Sequence, residues 1–227
     1  MKGHMMIILL QGEQLKEYSK LVDSMFRLRK AVFADRLGWD VNIRDGFEID
    51  EFDAASPAYL ISVDDHGKLK GSLRLLPTTG PNMLESVFYE LLDGESPIKS
   101  PLIWESTRFC VTPNAASERS ENRLNRTTGE LLAGIVEVGM KAGLISVVSV
   151  YDAIMKRVLE KAGCPADIIG SPKRIGKVTA FAGLFAIDEA MLGRIQAASG
   201  ITGSVLQTSL LSKPNIHIQS LSEPLAA

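Results

Sequence analysis

The stretch "YLISVDDHGKLKGSLRLLPT", residues 59–78, decides the fold of this chain. Apolar residues dominate both halves, and Asp65, His66 and Gly67 between them are typical of a tight turn. The pattern predicts an antiparallel β-hairpin. Arg74 interrupts the second strand, so a charged side chain is expected inside the sheet.

The sequence on either side of this hairpin predicts further strands. "MIILL" (6–10) and "PLIWESTRFCV" (101–111) predict one strand each. "GLISVVSVYD" (143–152) is a continuous apolar run of the kind found in buried central strands. A helix is predicted at 127–141, and "KVTAFAGLFAID" (177–188) predicts another strand. A strand–helix–strand unit therefore follows the antiparallel part of the chain.

This order of elements predicts an α/β fold of the mixed α+β kind, a mixed β-sheet with helices on both faces. The sequence has no internal repeat and no low-complexity linker, and its 227 residues suit one large domain. We therefore expect a single domain over residues 1–227, with a weakly patterned tail after about residue 200.

The composition excludes several classes of function. The net charge is −2 without a basic stripe, so nucleic acid is not an expected partner. No apolar run is long enough to cross a bilayer, so no membrane partner is expected. Cys110 and Cys164 are the only cysteines, which fits a reducing cytoplasm. His4, His66 and His217 are too scattered to predict a metal site.

One basic segment has only part of a nucleotide-binding loop. In "GSPKRIGK", residues 170–177, the glycines are one residue too far apart for a phosphate-binding loop. Val178 also stands where Ser or Thr would follow the lysine. The segment is predicted to be a basic surface loop instead.

The first predicted helix, residues 13–35, carries a charged residue beside its apolar face. Apolar residues recur at steps of three and four from Leu21 to Val32. At about 100° per residue, Arg29 lies roughly 70° from the centre of that face, with Phe33 on the same side. Arg29 is therefore expected at the shoulder of the core, where it either covers the core edge or belongs to a site.

The segment that follows is both acidic and aromatic. In "GFEIDEFD", residues 46–53, carboxylates alternate with Phe47, Ile49 and Phe52. A charged run of this kind is most often a solvated loop. The apolar residues should pin this one down, and an acidic patch beside aromatic rings could hold an ammonium or sulfonium cation.

Glu105 and Arg108 lie within the apolar strand predicted at 101–111. Strict alternation would place them on opposite faces of the sheet. A β-bulge between them would bring both to one side, and bulges are frequent next to active sites. The alternative is a structural ion pair across strands. Charges within so apolar a strand are the strongest indication of a site in this sequence.

These pieces, in this order, resemble the N-acyl-homoserine-lactone synthases, the autoinducer synthases of bacterial quorum sensing. "LRKAVFADRLGW", "FEIDEFDAASPAYLI", "GSLRLLPTTGPNML" and "PLIWESTRFCV" match the family pattern almost without gaps across residues 28–111. Eight positions carry the residue type of that pattern: Arg29, Phe33, Trp39, Asp50, Asp53, Arg74, Glu105 and Arg108.

The resemblance implies a fold similar to that of the GNAT acyltransferases, in which a twisted mixed sheet splays open between two central strands. A thioester's pantetheine arm would lie in that gap. The implied reaction is acyl transfer to the amine of S-adenosylmethionine, followed by lactone closure and release of methylthioadenosine. S-adenosylmethionine is then a substrate, and no metal or other cofactor is expected. The product would be a quorum-sensing signal.

The resemblance also implies roles for residues. Glu105 is the candidate general base, and Arg108 and Asp50 complete the catalytic set. The acyl pocket would include Ser149, Met155 and Cys164, and backbone N–H groups beside the parted strands would polarise the thioester carbonyl. The arginines would hold the substrate carboxylate or, alternatively, the acidic loop. The implied S-adenosylmethionine contacts are Arg29, Phe33, Trp39, Asp50, Asp53, Arg74 and Arg108.

The acyl donor is left open between acyl-carrier protein and acyl-CoA. A carrier protein would dock on a basic patch. The candidates for that patch are Lys156, Arg157, Lys161, Lys173, Arg174 and Lys177.

Two other functions stay open. A GNAT-type acyl-CoA N-acyltransferase acting on another amine would carry a pyrophosphate-binding motif, which "RTTGEL", residues 126–131, satisfies only in part. The third possibility is a non-catalytic module that binds a small molecule or an acyl carrier. The presence of Glu105 and of the Arg29–Trp39 segment argues against it.

Overall fold

The computed structural model describes residues 6–117 and 124–207. The strands are β1 (Met6–Leu10), β2 (Ile43–Arg44), β3 (Phe47–Glu48), β4 (Ala58–Val63), β5 (Leu69–Pro77), β6 (Ile103–Val111), β7 (Ser146–Asp152), β8 (Asp167–Ile175) and β9 (Val178–Ala186). The helices are α1 (Gln14–Glu17), α2 (Ser19–Lys30), α3 (Met83–Ser86), α4 (Pro113–Ser117), α5 (Arg126–Lys141), α6 (Ala153–Lys161) and α7 (Glu189–Ser199). A π-helix (Ala31–Arg36) extends α2, and 3₁₀ turns cover Glu51–Ala54 and Tyr89–Leu92.

Seven strands form one mixed sheet in the order β1-β4-β5-β6-β7-β9-β8. All neighbours are antiparallel except β6 and β7, which run parallel. The predicted hairpin is β4–β5, and the predicted strand–helix–strand unit is β6–α5–β7. A parallel pair requires a crossover connection, which α5 provides. The predicted mixed sheet is confirmed.

Helices cover both faces of this sheet, as predicted. Alternate side chains of a strand point to opposite faces. In β4, Leu60 packs with the cluster of α5, α6 and α7. Tyr59 and Ile61 pack instead with the cluster of α2.

The sheet parts between its two central strands. β6 and β7 pair only where 103–106 lies beside 146–149. Beyond that point β6 continues to Val111 and β7 to Asp152 without pairing with each other. At the last rung the Ser149 hydroxyl donates to the Ser106 carbonyl at 2.8 Å. The two strands therefore leave a gap, and the cavity that contains the candidate site passes through it.

Two parts of the chain differ from the sequence-based expectation. The basic segment predicted as a surface loop belongs to β8, an edge strand whose residues are mostly exposed or half-buried. The acidic segment 46–53, predicted to be a pinned loop, contains β3, which pairs with β2. Neither element produces a readable alternation, because β8 has no fully buried residue and β2 and β3 are only two residues long each.

Some expectations fall outside the described residues. His4, His217 and most of the weakly patterned tail lie there, as does the middle of the polar stretch after β6. Within residues 6–117 and 124–207, no helix combines the length and apolar character that crossing a bilayer requires.

Candidate active site

Three arginines and three carboxylates form a closed ring of alternating charge, here called the charge ring. Each guanidinium group contacts a carboxylate on either side. Arg108 lies 2.9 Å from Glu48 and 2.7 Å from Asp50. Arg74 lies 2.5 Å from Asp50 and 2.8 Å from Asp53. The order around the ring is Arg29, Glu48, Arg108, Asp50, Arg74, Asp53 and back to Arg29.

The acidic half of the ring is pinned by its own backbone. The Asp50 side chain accepts from the N–H of Phe52 at 3.0 Å, and Asp53 accepts from the N–H of Asp50 at 2.8 Å. This capping box closes the 3₁₀ turn. Glu48 is fully buried and Phe52 nearly so. The segment is therefore held in place, as its apolar residues predicted, and is not a solvated loop.

Burial and opposite charge compete in the ring, and charge prevails. Burial alone would raise the pKa of Asp53, but hydrogen bonds from Arg29 and the charges of Arg29 and Arg74 hold that pKa well below its usual range. Burial would lower the pKa of Arg29, yet Asp53 and Glu48 raise it. Arg29 is 1% exposed, so its predicted place at the core is confirmed. With three positive and three negative groups, the ring has no net charge to offer a ligand.

β6 contains a β-bulge as predicted, but at Arg108 and Phe109 rather than between Glu105 and Arg108. Ser72 of β5 faces Cys110, whereas Arg74, two residues on, faces Thr107. One extra residue is therefore accommodated in β6, where Arg108 has a φ of +55°. The bulge turns the Arg108 side chain toward the charge ring.

Glu105 and Arg108 reach the same side of the sheet through this bulge. Both oxygens of the fully buried Glu105 accept backbone hydrogen bonds at the start of α3, from Met83 at 2.8 Å and Leu84 at 2.6 Å. Arg108 donates to the Met83 sulfur at 3.2 Å. Desolvation by burial raises the pKa of Glu105, although these backbone hydrogen bonds oppose the shift.

A cavity of about 890 Å³ opens beside these groups. At its mouth, Phe33 stacks on Trp39 with ring centroids 5.2 Å apart. Gly38 between them has a φ of +64°, a left-handed conformation that glycine adopts without strain. The chain therefore folds back after the π-helix, and Trp39 lies against the cavity.

The inner part of the cavity runs through the gap between β6 and β7 to α5, α6 and α7. The three predicted acyl-pocket residues, Ser149, Met155 and Cys164, all line it. Burial raises the pKa of the Cys164 thiol to about 12, so this side chain is a neutral, largely apolar part of the wall.

The structure divides the eight family-pattern residues into two groups. Four line the cavity: Phe33, Trp39, Glu105 and Arg108. The other four belong to the charge ring and are not among the lining residues: Arg29, Asp50, Asp53 and Arg74. Their predicted contact with substrate stays a prediction.

Sequence reasoning missed Arg36, whose exposed side chain also lines the cavity mouth. No carboxylate in the described ranges forms an ion pair with it. A signal was available, because Arg36 follows Arg29 by seven residues and so shares its side of the helix. Arg36 is the last residue of the π-helix that follows α2.

The described residues also bear on whether the chain has a metal site. Among the described side chains, no group of three or more His, Cys, Asp or Glu residues is arranged to hold a metal ion.

Comparisons with known proteins agree with this geometry. The family described as "Autoinducer synthase" matches residues 13–195. A relative named acyl-homoserine-lactone synthase, from Agrobacterium fabrum (strain C58), is 38% identical over 191 residues, 84% of this chain and 90% of its own length.

Solved structures agree as well. That of MesI, described as a CoA-dependent acyl-homoserine lactone synthase, has a TM-score of 0.78 at 28% identity and covers 88% of this chain and 98% of its own. A structure described as a putative N-acetyltransferase from Lactobacillus plantarum shares the fold alone, with a TM-score of 0.53 at 14% identity, over 81% of this chain and 99% of its own.

Proposed function

Because the chain belongs to the autoinducer synthase family and is an acyltransferase, we propose that it joins a thioester's acyl group to the amine of S-adenosylmethionine. Lactone closure then releases methylthioadenosine. The observation that carries this proposal is the single cavity that connects a charged mouth to an aliphatic interior through the parted strands. An amine substrate and an acyl thioester can meet at that gap.

The reaction has two bond-forming steps. The amine loses a proton and attacks the thioester carbonyl, so that a C–N bond forms, the C–S bond breaks and the thiol leaves. A carboxylate oxygen of the product then attacks its own Cγ. A C–O bond forms there, the bond from Cγ to the sulfonium breaks, and its electron pair goes to sulfur. Neutral methylthioadenosine leaves.

Glu105 is our candidate for the group that accepts the amine proton, directly or through one water. Its carboxylate is buried beside the gap, and burial moves its pKa upward toward that of a useful base. The N–H groups of Met83 and Leu84 hold both oxygens in place. Backbone groups of β6 and β7 that face the gap are candidates to polarise the thioester carbonyl.

Arg36 is our candidate for binding the substrate carboxylate. The sequence left two roles open for Arg29 and Arg108, holding that carboxylate or holding the acidic loop. Their hydrogen bonds with Glu48 and Asp53 favour the second role. Arg36 carries a charge at the cavity mouth that no carboxylate of the charge ring contacts. A guanidinium group suits a carboxylate because it donates two parallel hydrogen bonds.

Phe33 and Trp39 would cover the sulfonium end of the substrate. The face of an aromatic ring attracts a cation, and the stacked pair stands at the mouth. Arg108 of the charge ring contacts this aromatic pair: its guanidinium carbon lies 5.5 Å from the centroid of the Phe33 ring. We therefore assign Arg29, Asp53 and Arg74 positioning roles.

The choice of acyl donor stays open between acyl-carrier protein and acyl-CoA. The solved relative MesI is described as CoA-dependent. The candidate basic residues for a carrier-protein patch lie on α6 and on the β8–β9 hairpin. Two of them are paired, Lys156 with Glu160 and Lys173 with Asp93, which weakens the patch. We propose acyl-CoA as the first donor to test.

Two further predictions accompany the proposal. A single domain over residues 1–227 agrees with one continuous sheet that carries the whole cavity. A cytoplasmic location agrees with the free, buried thiols of Cys110 and Cys164.

The direct test is incubation of the full chain with S-adenosylmethionine and a panel of acyl-CoA and acyl-carrier-protein thioesters. Mass spectrometry should detect methylthioadenosine together with an acyl-homoserine lactone. If no donor yields methylthioadenosine, the proposed function is wrong. Acyl transfer to another amine without methylthioadenosine would instead establish the plain GNAT-type acyltransferase.

A further inference from the structure

α7 lines part of the cavity. Met191 and Ile195, one helical turn apart, are both lining residues and are 2% and 1% exposed. Both side chains belong to the main apolar core together with residues of α5. An acyl chain that enters through the gap between β6 and β7 would therefore reach a space that α7 helps to enclose.

Two glycines of α5 permit its close approach to Ser199 of α7 and to Ile187, which precedes α7. A Cβ on Gly129 would lie 2.8 Å from the Ser199 hydroxyl oxygen and closer still to the Ser199 Cβ. A Cβ on Gly139 would lie 2.8 Å from Ile187 Cγ2. Such contacts are too short for any larger residue without movement of one element. Ile187 itself lines the cavity, and Ser199 donates to the Ile195 carbonyl at 2.5 Å.

We propose that α7 is the end wall that determines acyl chain length, and that Gly129 and Gly139 of α5 determine where this wall stands. The inference rests on the proposed function and extends it to the residues that determine acyl chain length.

The inner wall suits an uncharged alkyl chain. The lining side chains of α5 are Leu132, Ile135 and Val136, all aliphatic. Ser149 gives its only hydroxyl proton to the Ser106 carbonyl and so has no donor left for a substrate carbonyl. An alkyl chain loses no hydrogen bond to water when it enters such a space.

Shortening the end wall tests the first part of the proposal. Met191→Ala should move the best substrate to a chain about two carbons longer, because it opens space that methylene groups can fill. Each added methylene that fits should raise kcat/KM about fourfold. Leu192→Ala is the matched control, since Leu192 is the next residue of α7 and does not line the cavity. It should leave the optimum where it is.

Moving the wall tests the second part. Gly129→Ala should push α7 away from α5 and broaden the dependence of kcat/KM on acyl chain length toward longer chains. Gly129→Ala combined with Ser199→Gly transfers the bulk from one helix to the other and should restore the wild-type optimum. All variants are compared with acyl-CoA thioesters of increasing length at saturating S-adenosylmethionine, after thermal melting has shown a folded protein.

The outcomes separate this inference from the proposed function. If wild type forms lactone and Met191→Ala keeps the wild-type optimum, α7 is not the end wall. If the Gly129→Ala optimum also stays put, the glycines do not determine the wall. An equal shift in Leu192→Ala would overturn the proposal too. Absence of lactone from wild type with every donor would refute the proposed function itself.

Discussion

The two oxygens of Glu105 are occupied by the backbone N–H groups of Met83 and Leu84, yet its buried carboxylate still has a raised pKa. We expect Glu105→Gln to lower kcat by about 10²–10⁴-fold, the usual contribution of a general base. In wild type, kcat/KM should rise with pH through the raised pKa, because only the ionised carboxylate accepts a proton. The variant should lack this rise in its pH–rate profile.

A glutamine at this position would also turn an amide N–H toward one of the two backbone donors and loosen α3. Asn82→Ala is the control for that effect. The Asn82 side chain caps the same helix by accepting from the N–H of Glu85 at 3.0 Å, and it does not line the cavity. It should reduce turnover modestly and keep the pH dependence. If both variants lose activity equally, Glu105 acts by holding α3 and is not the base.

Arg36 permits a test of carboxylate binding at a single position. Arg36→Ala should raise the KM for S-adenosylmethionine about tenfold or more, because a hydrogen bond to a charged group contributes roughly 1.5–3 kcal/mol. The KM for the thioester should not change. Arg27→Ala is the matched control, since Arg27 is exposed on α2, lies over the Phe47 ring and does not line the cavity. An increase confined to the thioester KM would assign Arg36 to the donor's phosphate instead.

Asp53 should matter for stability rather than for chemistry. Removing one partner from a buried ion pair typically costs about 3–5 kcal/mol, so Asp53→Asn should lose that much at pH 7 in urea unfolding. The folded-state pKa of Asp53 lies below the unfolded value of about 4, so its contribution is complete above pH 4 and is lost as pH falls further. The two proteins should therefore converge in acid.

Glu13→Gln provides the comparison for Asp53. Glu13 forms an ion pair with Lys16 in which both side chains are at least 80% exposed. Such a pair contributes little, so this variant should unfold like wild type at pH 7. Equal stability of Asp53→Asn and Glu13→Gln would mean that the charge ring does not hold the fold together.

Among the elements, the π-helix and the turn after it connect the core to the mouth of the cavity. Gly38 has a φ of +64°, and a Cβ there would meet no atom within 4 Å. Gly38→Ala should therefore lower the free energy of unfolding by only about 1–2 kcal/mol, the cost of placing a non-glycine residue in the left-handed conformation. Because Trp39 depends on this turn, the KM for S-adenosylmethionine should rise about fivefold or more.

Gly67→Ala is the matched control for this turn. Gly67 lies in the β4–β5 turn with a φ of +74°, also with no atom within 4 Å of a Cβ. It should show a similar loss of stability with an unchanged KM. Equal KM values in the two variants would show that the position of Trp39 does not govern substrate binding.

The same elements show where sequence reasoning succeeds and where it stops. β4, β5 and β7 bury apolar side chains, so their patterns were readable and their positions are confirmed. β8 is an exposed edge strand with Pro172 and a positive φ at Gly170. It is a strand because it pairs with β9, and its own sequence carries no strand pattern. The π-helix has no distinct sequence pattern, and the helical periodicity of residues 13–35 predicted an ordinary helix there.

At the scale of the whole molecule, the sequence predicted a set of candidate site residues but not which of them form the charge ring and which line the cavity. Arg29 and Trp39 belong to the same family pattern, yet one is buried in the charge ring and the other stands at the cavity mouth. That division depends on contacts between segments distant in sequence, such as Arg108 with Glu48. The charge ring joins α2, β3, β5, β6 and the 3₁₀ turn, so the cavity is supported by long-range ion pairs.

This arrangement predicts that substrate binding at the cavity mouth stabilises the whole fold, because the ligand binds only the folded state. A ligand at 100 times its Kd should add about 2.7 kcal/mol to the unfolding free energy, so saturating S-adenosylmethionine should raise Tm by several degrees. Trp39→Ala should show a much smaller rise in Tm at the same concentration. This variant lacks the Trp39 ring, 40% exposed without ligand, that would contact the substrate. Tyr89→Ala, an exposed aromatic that does not line the cavity, should shift like wild type. If Trp39→Ala gains as much stability as wild type, the stacked pair at the mouth does not bind S-adenosylmethionine.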